Sequence, residues 1–412
     1  MPHGQMVSVV LGSADRDTPQ LVKPFDLDGA AWNMEGMKLA RIAALPLVSL
    51  LVLTGCAAKD EPARPLTSAA ATPTPVTGVE TGDMPAALAK LATAIYEGGD
   101  LEANKRTAAA LADRTPVDTR ITVKAATGKW NKQKMAVLTS GKDVTLAVDK
   151  DGTWTAVGGW WPSLDIKKAV LGGKRHVLII GSDAQKSKGE KVREARADAL
   201  QVVGVDGRGG GGILGIPRDL WVNMPDGGHA KINAAMMQGG PEAQQKVVTD
   251  VTGLKMEGYI LTGFRGFENL VDEIGGVTVD APIPVLDVKA GKSKLDGETA
   301  LDFARERKTL PGGDFDRSAH QGVLLLGFAA LAKMNGPAGL VDLLSAADPL
   351  VETNLTAEQA LTLGAWAYKA DPRKVGGEVP EPPFGYSADG QFMLPLDAKT
   401  RQIFDSFADG NL

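Results

Sequence analysis

Cysteine is all but missing from this chain: Cys56 is the only one in 412 residues. A single thiol excludes an internal disulfide and a zinc site built from cysteines. Histidine is nearly as scarce, and His3, His176, His229 and His320 show no metal-ligand spacing. No serine, cysteine or histidine arrangement suggests a nucleophile relay. An excess of positive charge is absent too. The formal net charge is −5, whereas a nucleic-acid binder usually shows a basic face, so no nucleic-acid partner is expected. The chain carries no internal repeat. Its length suits one large domain with accessories, or two domains.

The cysteine ends an apolar run. Lys38 and Arg41 precede Ile42 to Leu53, a positive segment followed by an apolar one, which is the layout of a secretory signal. The run is short of the roughly 20 apolar residues that span a bilayer. It closes in Leu53-Thr54-Gly55-Cys56, which resembles a bacterial lipobox, where the thiol is lipidated and the chain is cut just before it. The bland alternative is a short buried helix with a core cysteine. Residues 37–55 are therefore expected to be a lipoprotein signal peptide, with lipidated Cys56 holding the protein at the extracytoplasmic face of the cell membrane. Two or more acyl chains would hold it there, whereas one alone would be marginal. Residues 1–36, with acidic "ADRD" and "PFDLD", are a doubtful extension, and Met37 or Met34 is the expected start. Residues 56–83 are rich in Ala, Pro and Thr and read as a disordered linker.

From Met84 to about residue 170 the pattern predicts a small α+β accessory domain. Two amphipathic helices break at Gly98-Gly99, and alternating segments follow, with Asp151-Gly152 as a hairpin signal. Trp154, Trp160 and Trp161 read as core residues for this sheet rather than as a ligand face.

The second half carries the chemistry. "HVLIIGSDA" is a buried strand with polar residues at its carboxyl end. Gly209 to Gly212 sit between two strands, so a turn is expected rather than a nucleotide loop, and "AGKSK" lacks the first glycine of a P-loop. Beside these strands stand Asp183, Arg196, Asp198, Arg218, Asp219, Lys231 and Asn233, and later Arg305, Arg307, Asp314, Arg317 and Gln321. Guanidinium forks match phosphate oxygens. Aspartates among them suit a hard cation such as Mg2+, and phosphoryl transfer needs mainly positioning and charge neutralisation. Taken alone, the same residues also fit a set of surface salt bridges.

Seven segments in register settle the choice: "LIIGSDA", "RADALQVVGVD", "GIPRDLWV", "HAKINAAMMQGG", "NLVDEIGGVTVD", "LDGETALDFARERK" and "DFDRSAHQG". The region from His176 to Lys333 resembles the LytR–CpsA–Psr family, membrane-anchored enzymes taken to move glycopolymers from polyprenyl-pyrophosphate carriers to peptidoglycan. The resemblance implies that Asp183 and Asp198 hold Mg2+. It implies that Arg218, Asp219, Arg305 and Arg307 serve the reaction, and that Arg196, Lys231, Asn233, Arg317 and Gln321 bind substrate. Three positions depart from the family pattern: Gln185 and His320 stand where arginine is common, and Ala199 where threonine is. Protonated His320 is expected to donate to a phosphate below about pH 6.5.

The apolar segments Gly322–Met334 and "AGLVDLLSAADPLV" are expected to be helices that pack the core and line a tunnel for a polyprenyl tail. Thr356 before Glu358 signals a capped helix. The expected architecture is α/β, with a central mixed sheet flanked by helices across residues 174–370 and a loop-rich tail at 371–412. The expected function is glycopolymer–peptidoglycan phosphotransfer. A polyprenyl pyrophosphatase and a non-catalytic polyprenyl-phosphate-binding scaffold are the alternatives.

Overall fold

The computed structural model describes residues 78–371 and 374–412. The expected extension, signal peptide and Cys56 lie outside the described residues, as does most of the expected linker. The linker reading extends too far. Gly78–Glu80 form β1, which pairs in parallel with β2 (Arg120–Thr122). Val79 packs on the neighbouring core and Glu80 pairs with Arg120. Composition averaged over a window misses a three-residue strand held by distant partners.

Between these strands lie α1 (Ala86–Glu97) and α2 (Lys105–Leu111). A five-stranded antiparallel meander follows: β3 (Lys124–Trp130), β4 (Gln133–Ser140), β5 (Asp143–Lys150), β6 (Thr153–Trp161) and β7 (Ile166–Val170). Asp151 and Gly152 both have positive φ, as a type I′ hairpin requires. Period-two alternation divides β4 between two cores. Ala136 and Leu138 meet Leu88 and Ile95 of α1, while Met135 and Val137 face the opposite side. Trp154, Trp160 and Trp161 are buried, and Trp161 Nε1 donates to Thr145 Oγ1 at 2.8 Å.

The second half continues with β8 (Arg175–Ser182), β9 (Ala197–Val205), β10 (Gly211–Gly215), β11 (Leu220–Asn223) and β12 (His229–Lys231). Next come α3 (Ala235–Thr252), kinked at Gly239–Gly240, β13 (Met256–Gly263), α4 (Phe264–Glu273), β14 (Val277–Ala281) and β15 (Gly291–Leu295). The helices α5 (Gly297–Arg305), α6 (Asp314–Met334) and α7 (Gly336–Ala347) precede β16 (Glu352–Thr353) and α8 (Ala357–Lys369). The chain closes with β17 (Val375–Glu378), β18 (Gly385–Tyr386), β19 (Phe392–Pro395) and α9 (Ala398–Ser406).

The central sheet is mixed, as expected, in the order β16-β13-β8-β9-β10-β17. The β8 strand runs parallel to β13 and antiparallel to β9. Leu178, Ile180, Leu200 and Val202 share one core with Met236 and Val248 of α3 and Phe404 of α9. On the other face Gln201 Nε2 donates to Ser318 O and Oγ of α6 at 3.0 and 2.9 Å.

Three local expectations change. The helix α7 packs Leu340 and Val341 against the amino-terminal meander, so that apolar segment serves the second sheet. The capping box of α8 is closed by Thr356 and Gln359, with Glu358 in the first turn. The segment after Asp371 is more than loop: β17 joins the central sheet beside β10, β19 pairs with β11, and Phe404 and Phe407 are buried.

Candidate functional site

Strand direction gathers the polar residues. Asp183 follows the carboxyl end of β8, Asp198 sits at the start of antiparallel β9, and Gly263 at the end of parallel β13 hands over to α4. All three ends lie at one edge of the sheet. Arg218 and Asp219 occupy the turn between β10 and β11, and Lys231 ends β12.

The helix α6 completes the arrangement. Asp314, Arg317 and Gln321 stand at i, i+3 and i+7, one helical stripe. The same stripe continues as Leu324, Leu325 and Phe328, and these residues line a cavity of about 850 Å³ together with Arg317 and Gln321. The stripe therefore changes from charged to apolar along its length. From the other walls, Arg196, Arg218, Lys231, Arg305 and Arg307 line the same cavity beside Asp183, Asp198, Asp219 and Asn233, while Phe264, Phe267 and Leu301 add to its apolar part. Every site residue expected from the sequence, Cys56 apart, borders this one space.

The charges are tightly interlocked. Asp183 accepts from Arg196 Nε at 3.0 Å and Nη2 at 2.8 Å. Asp198 accepts from Arg218 Nη1 and from Asn233 Nδ2, the latter at 3.3 Å, and its carbonyl accepts from Arg317 Nη2 at 3.0 Å. Lys231 Nζ lies 2.8 Å from Asp219 Oδ1 and 5.5 Å from the centre of the Phe392 ring. Asp314 Oδ1 is 2.8 Å from Arg317, 3.4 Å from Arg218 and 3.9 Å from Arg307. Three guanidinium groups thus share one carboxylate. Burial pushes the Arg317 guanidinium below its usual range, with Asp314 opposing and Arg218 and Arg307 reinforcing. An anion in the cavity would relieve this crowding of like charge.

Arg305 is the last residue of α5, which begins behind Asp296, whose side chain accepts from Thr299 N at 2.9 Å. Glu306 then turns extended. Ala300, Leu301 and Phe303 are buried, so packing fixes where the two arginines project. Gln321 Nε2 donates to Ala304 O at 3.0 Å, and its Oε1 accepts from Gln201 Nε2 at 3.2 Å.

His320 does not behave as expected. It stands off the Asp314–Gln321 stripe, is 1% exposed, and packs 4.9 Å from the Phe303 ring centre. Burial lowers its pKa, with only Asp316 opposing, so it is a neutral core residue rather than a phosphate donor. Gln185 and Ala199 do line the cavity. Sequence reasoning gave no role to Asp314, although its place three residues before Arg317 in the first turn of α6 was a usable signal. It missed Gln391 and Phe392, which reach the cavity from the carboxyl-terminal segment and share no pattern with the rest.

Two carboxylates, Asp183 and Asp198, offer oxygen ligands to the cavity, as a hard cation requires. Among the described residues no cluster of three or more histidine, cysteine, aspartate or glutamate side chains is able to hold a metal ion. Both carboxylates are bonded to arginine, Asp183 to Arg196 and Asp198 to Arg218, and two carboxylates are the number that Mg2+ commonly takes alongside phosphate and water oxygens.

Comparison with known proteins gives concordant matches. The model of the LytR_cpsA_psr family matches residues 161–379. A probable cell wall biosynthesis protein, LcpB of Corynebacterium glutamicum, is 35% identical over 160 residues, covering 35% of this chain and 38% of that protein. A polyisoprenyl-teichoic acid–peptidoglycan teichoic acid transferase, TagV of Bacillus subtilis, is 30% identical over 205 residues, 45% of this chain and 51% of that one. The match thus spans about half or less of these relatives' length. The crystal structure of protein gbs0355 from Streptococcus agalactiae superposes with a TM-score of 0.50 at 22% identity, over 57% of this chain and 88% of that one, which shows a shared fold.

Proposed function

The chain belongs to the LytR–CpsA–Psr family, and from that premise we propose that it moves a glycan from a polyprenyl-pyrophosphate carrier to a hydroxyl of cell-wall peptidoglycan. One observation carries the reading: a single cavity is lined both by cationic side chains and by apolar ones, divided along one stripe of α6. A pyrophosphate with an isoprenoid tail has the same division. The long tail gains from burial against Phe264, Phe267, Leu324 and Phe328, at roughly 25 cal/mol per Å² of apolar surface.

In this scheme Arg218, Arg305, Arg307 and Arg317 hold the pyrophosphate oxygens and spread the negative charge that builds on them. The acceptor oxygen bonds to the sugar-proximal phosphorus, the bond to the bridging oxygen breaks, and polyprenyl phosphate departs with that oxygen. Asp219, held by Lys231, takes the hydroxyl proton. Asp183 and Asp198 would hold Mg2+, which when bound neutralises phosphate charge. Arg196 and Asn233 fix those two carboxylates in place. Lipidated Cys56 would keep the site near the membrane that supplies the carrier.

Competition binding tests the cavity assignment. Polyprenyl pyrophosphate should bind more tightly than polyprenyl monophosphate, and both more tightly than inorganic pyrophosphate, because only the first fills both halves. Equal affinity for inorganic and polyprenyl pyrophosphate would remove the apolar half from the site.

A further inference from the structure

Beyond residue 379, where the family match ends, the chain places three exposed aromatic rings beside the cavity. Phe384 is 71% exposed, Tyr386 72% and Phe392 38%. The rings form a connected row. Phe384 lies 5.6 Å from Phe392, Tyr386 lies 6.4 Å from Phe392, and Phe384 reaches Phe315 of α6 at 6.4 Å. Within the row, between Phe384 and Tyr386, Phe392 lines the cavity under Lys231 Nζ. At the end opposite Tyr386, Phe315 follows Asp314, the carboxylate shared by three arginines.

Exposed apolar patches with polar borders mark binding surfaces. Two ligands suit exposed aromatics here: a lipid surface or a sugar ring. The hairpin tip argues against lipid. Its residues are Ser387, Ala388, Asp389 and Gly390, and Asp389 accepts hydrogen bonds from Ser387 Oγ and from Gln391 Nε2, the latter at 2.6 Å. A hairpin that enters a membrane would lead with apolar residues, whereas this one leads with a hydrogen-bonded carboxylate. The aromatic rings stand on the stem, next to the phosphate-binding rim. A pyranose has one face of C–H bonds and an edge of hydroxyls. Ring faces flanked by hydrogen-bonding groups such as Gln391 and His229, both at the cavity, complement that shape.

We propose that Phe384, Tyr386 and Phe392 form a stacking platform for the sugar that follows the pyrophosphate, making this hairpin the glycan-selecting element of the site. The assignment rests on the donor reading above. The platform holds the first pyranose ring against the protein face, which orients the sugar-proximal phosphorus towards the acceptor.

The test compares two probes on the full chain: polyprenyl pyrophosphate, and the same lipid bearing one hexopyranose. Phe384→Ala with Tyr386→Ala should weaken the sugar-bearing probe about tenfold, the equivalent of about 1.4 kcal/mol, and should move the sugarless probe less than about twofold. Tryptophan at both positions should retain the discrimination. The single Tyr386→Ala variant gives a milder version of the same split. Equal losses on both probes, or none on either, overturn the platform. So does a loss confined to binding of anionic phospholipid vesicles, which assigns the rings to the membrane. If the unaltered protein binds neither probe, the donor reading itself fails and the platform with it.

Discussion

Arg305 lies over Phe264, with its guanidinium carbon 4.3 Å from the ring centre. Phe264 opens α4 directly after β13, so the sheet edge, the helix start and the stacked arginine are one unit. Arg307, two residues on, is 47% exposed and among the described residues pairs with Asp314 alone, at 3.9 Å. The stacked arginine is held in position, while the exposed one remains available to a ligand.

Arg307→Lys keeps the charge and loses the planar fork. Binding of polyprenyl pyrophosphate should weaken about tenfold, close to 1.4 kcal/mol, and the monophosphate should suffer less. Thermal stability should hardly move, because Arg307 is half-exposed, 3.9 Å from Asp314, and leaves that carboxylate its closer partners Arg317 and Arg218. Unfolding by this change, with affinity intact in the surviving fraction, would make the pair a structural element instead.

Asp183→Asn and Asp198→Asn separate the two carboxylates proposed for Mg2+. Each should abolish Mg2+-dependent turnover. Their effects on stability should differ. Arg196 stays 58% exposed beside Asp183, whereas Arg218 is only 14% exposed beside Asp198. Taking from the buried Arg218 its nearest carboxylate, and leaving it Asp314 at 3.4 Å and Asp219 at 3.9 Å, should therefore lower the melting temperature more. Unchanged turnover in the double variant would remove the metal assignment.

Stability should fall as pH drops below about 6.5, the ordinary histidine value. His320 and His176 are both buried, and burial is the first cause lowering each pKa. Above that pH both states are neutral and neither histidine contributes a pH slope. Below it the unfolded chain takes up protons that the folded chain refuses, so acid favours unfolding. His320→Gln should flatten part of the slope in thermal melts between pH 7 and 5 and leave donor affinity unchanged. A loss of affinity confined to low pH would return His320 to the phosphate site.

Much of the fold and of the site was legible because the parts obey short-range rules. Asp296 and the buried Ala300, Leu301 and Phe303 define α5, and the turn at Asp151-Gly152 follows from two positive φ values. What stayed hidden depends on distant segments. Nothing near Lys231 announces that Phe392 will cover it, since that contact joins residues far apart in sequence. The edge strand β17 is the four residues "VGGE", with little strand propensity, and forms because β10 offers an unpaired edge. His320 misled for a related reason: matching it to a family position ignores that it lies off the stripe on which Arg317 and Gln321 stand.

The anchor at Cys56 is checked by mass spectrometry of the mature protein from membranes. A lipidated amino-terminal Cys56 is expected. An intact peptide crossing residues 53 to 60 as the dominant form would exclude it.

The most direct test of the transfer itself uses a short-chain polyprenyl-pyrophosphate sugar with Mg2+, incubated with and without peptidoglycan. Phosphosugar should appear covalently on the peptidoglycan, with one polyprenyl phosphate released for each sugar attached, and release should be slow when the acceptor is left out. Equal release in its absence, with no sugar on the wall material, would make the protein a pyrophosphatase. Tight binding with no release in either case would make it a carrier-binding scaffold.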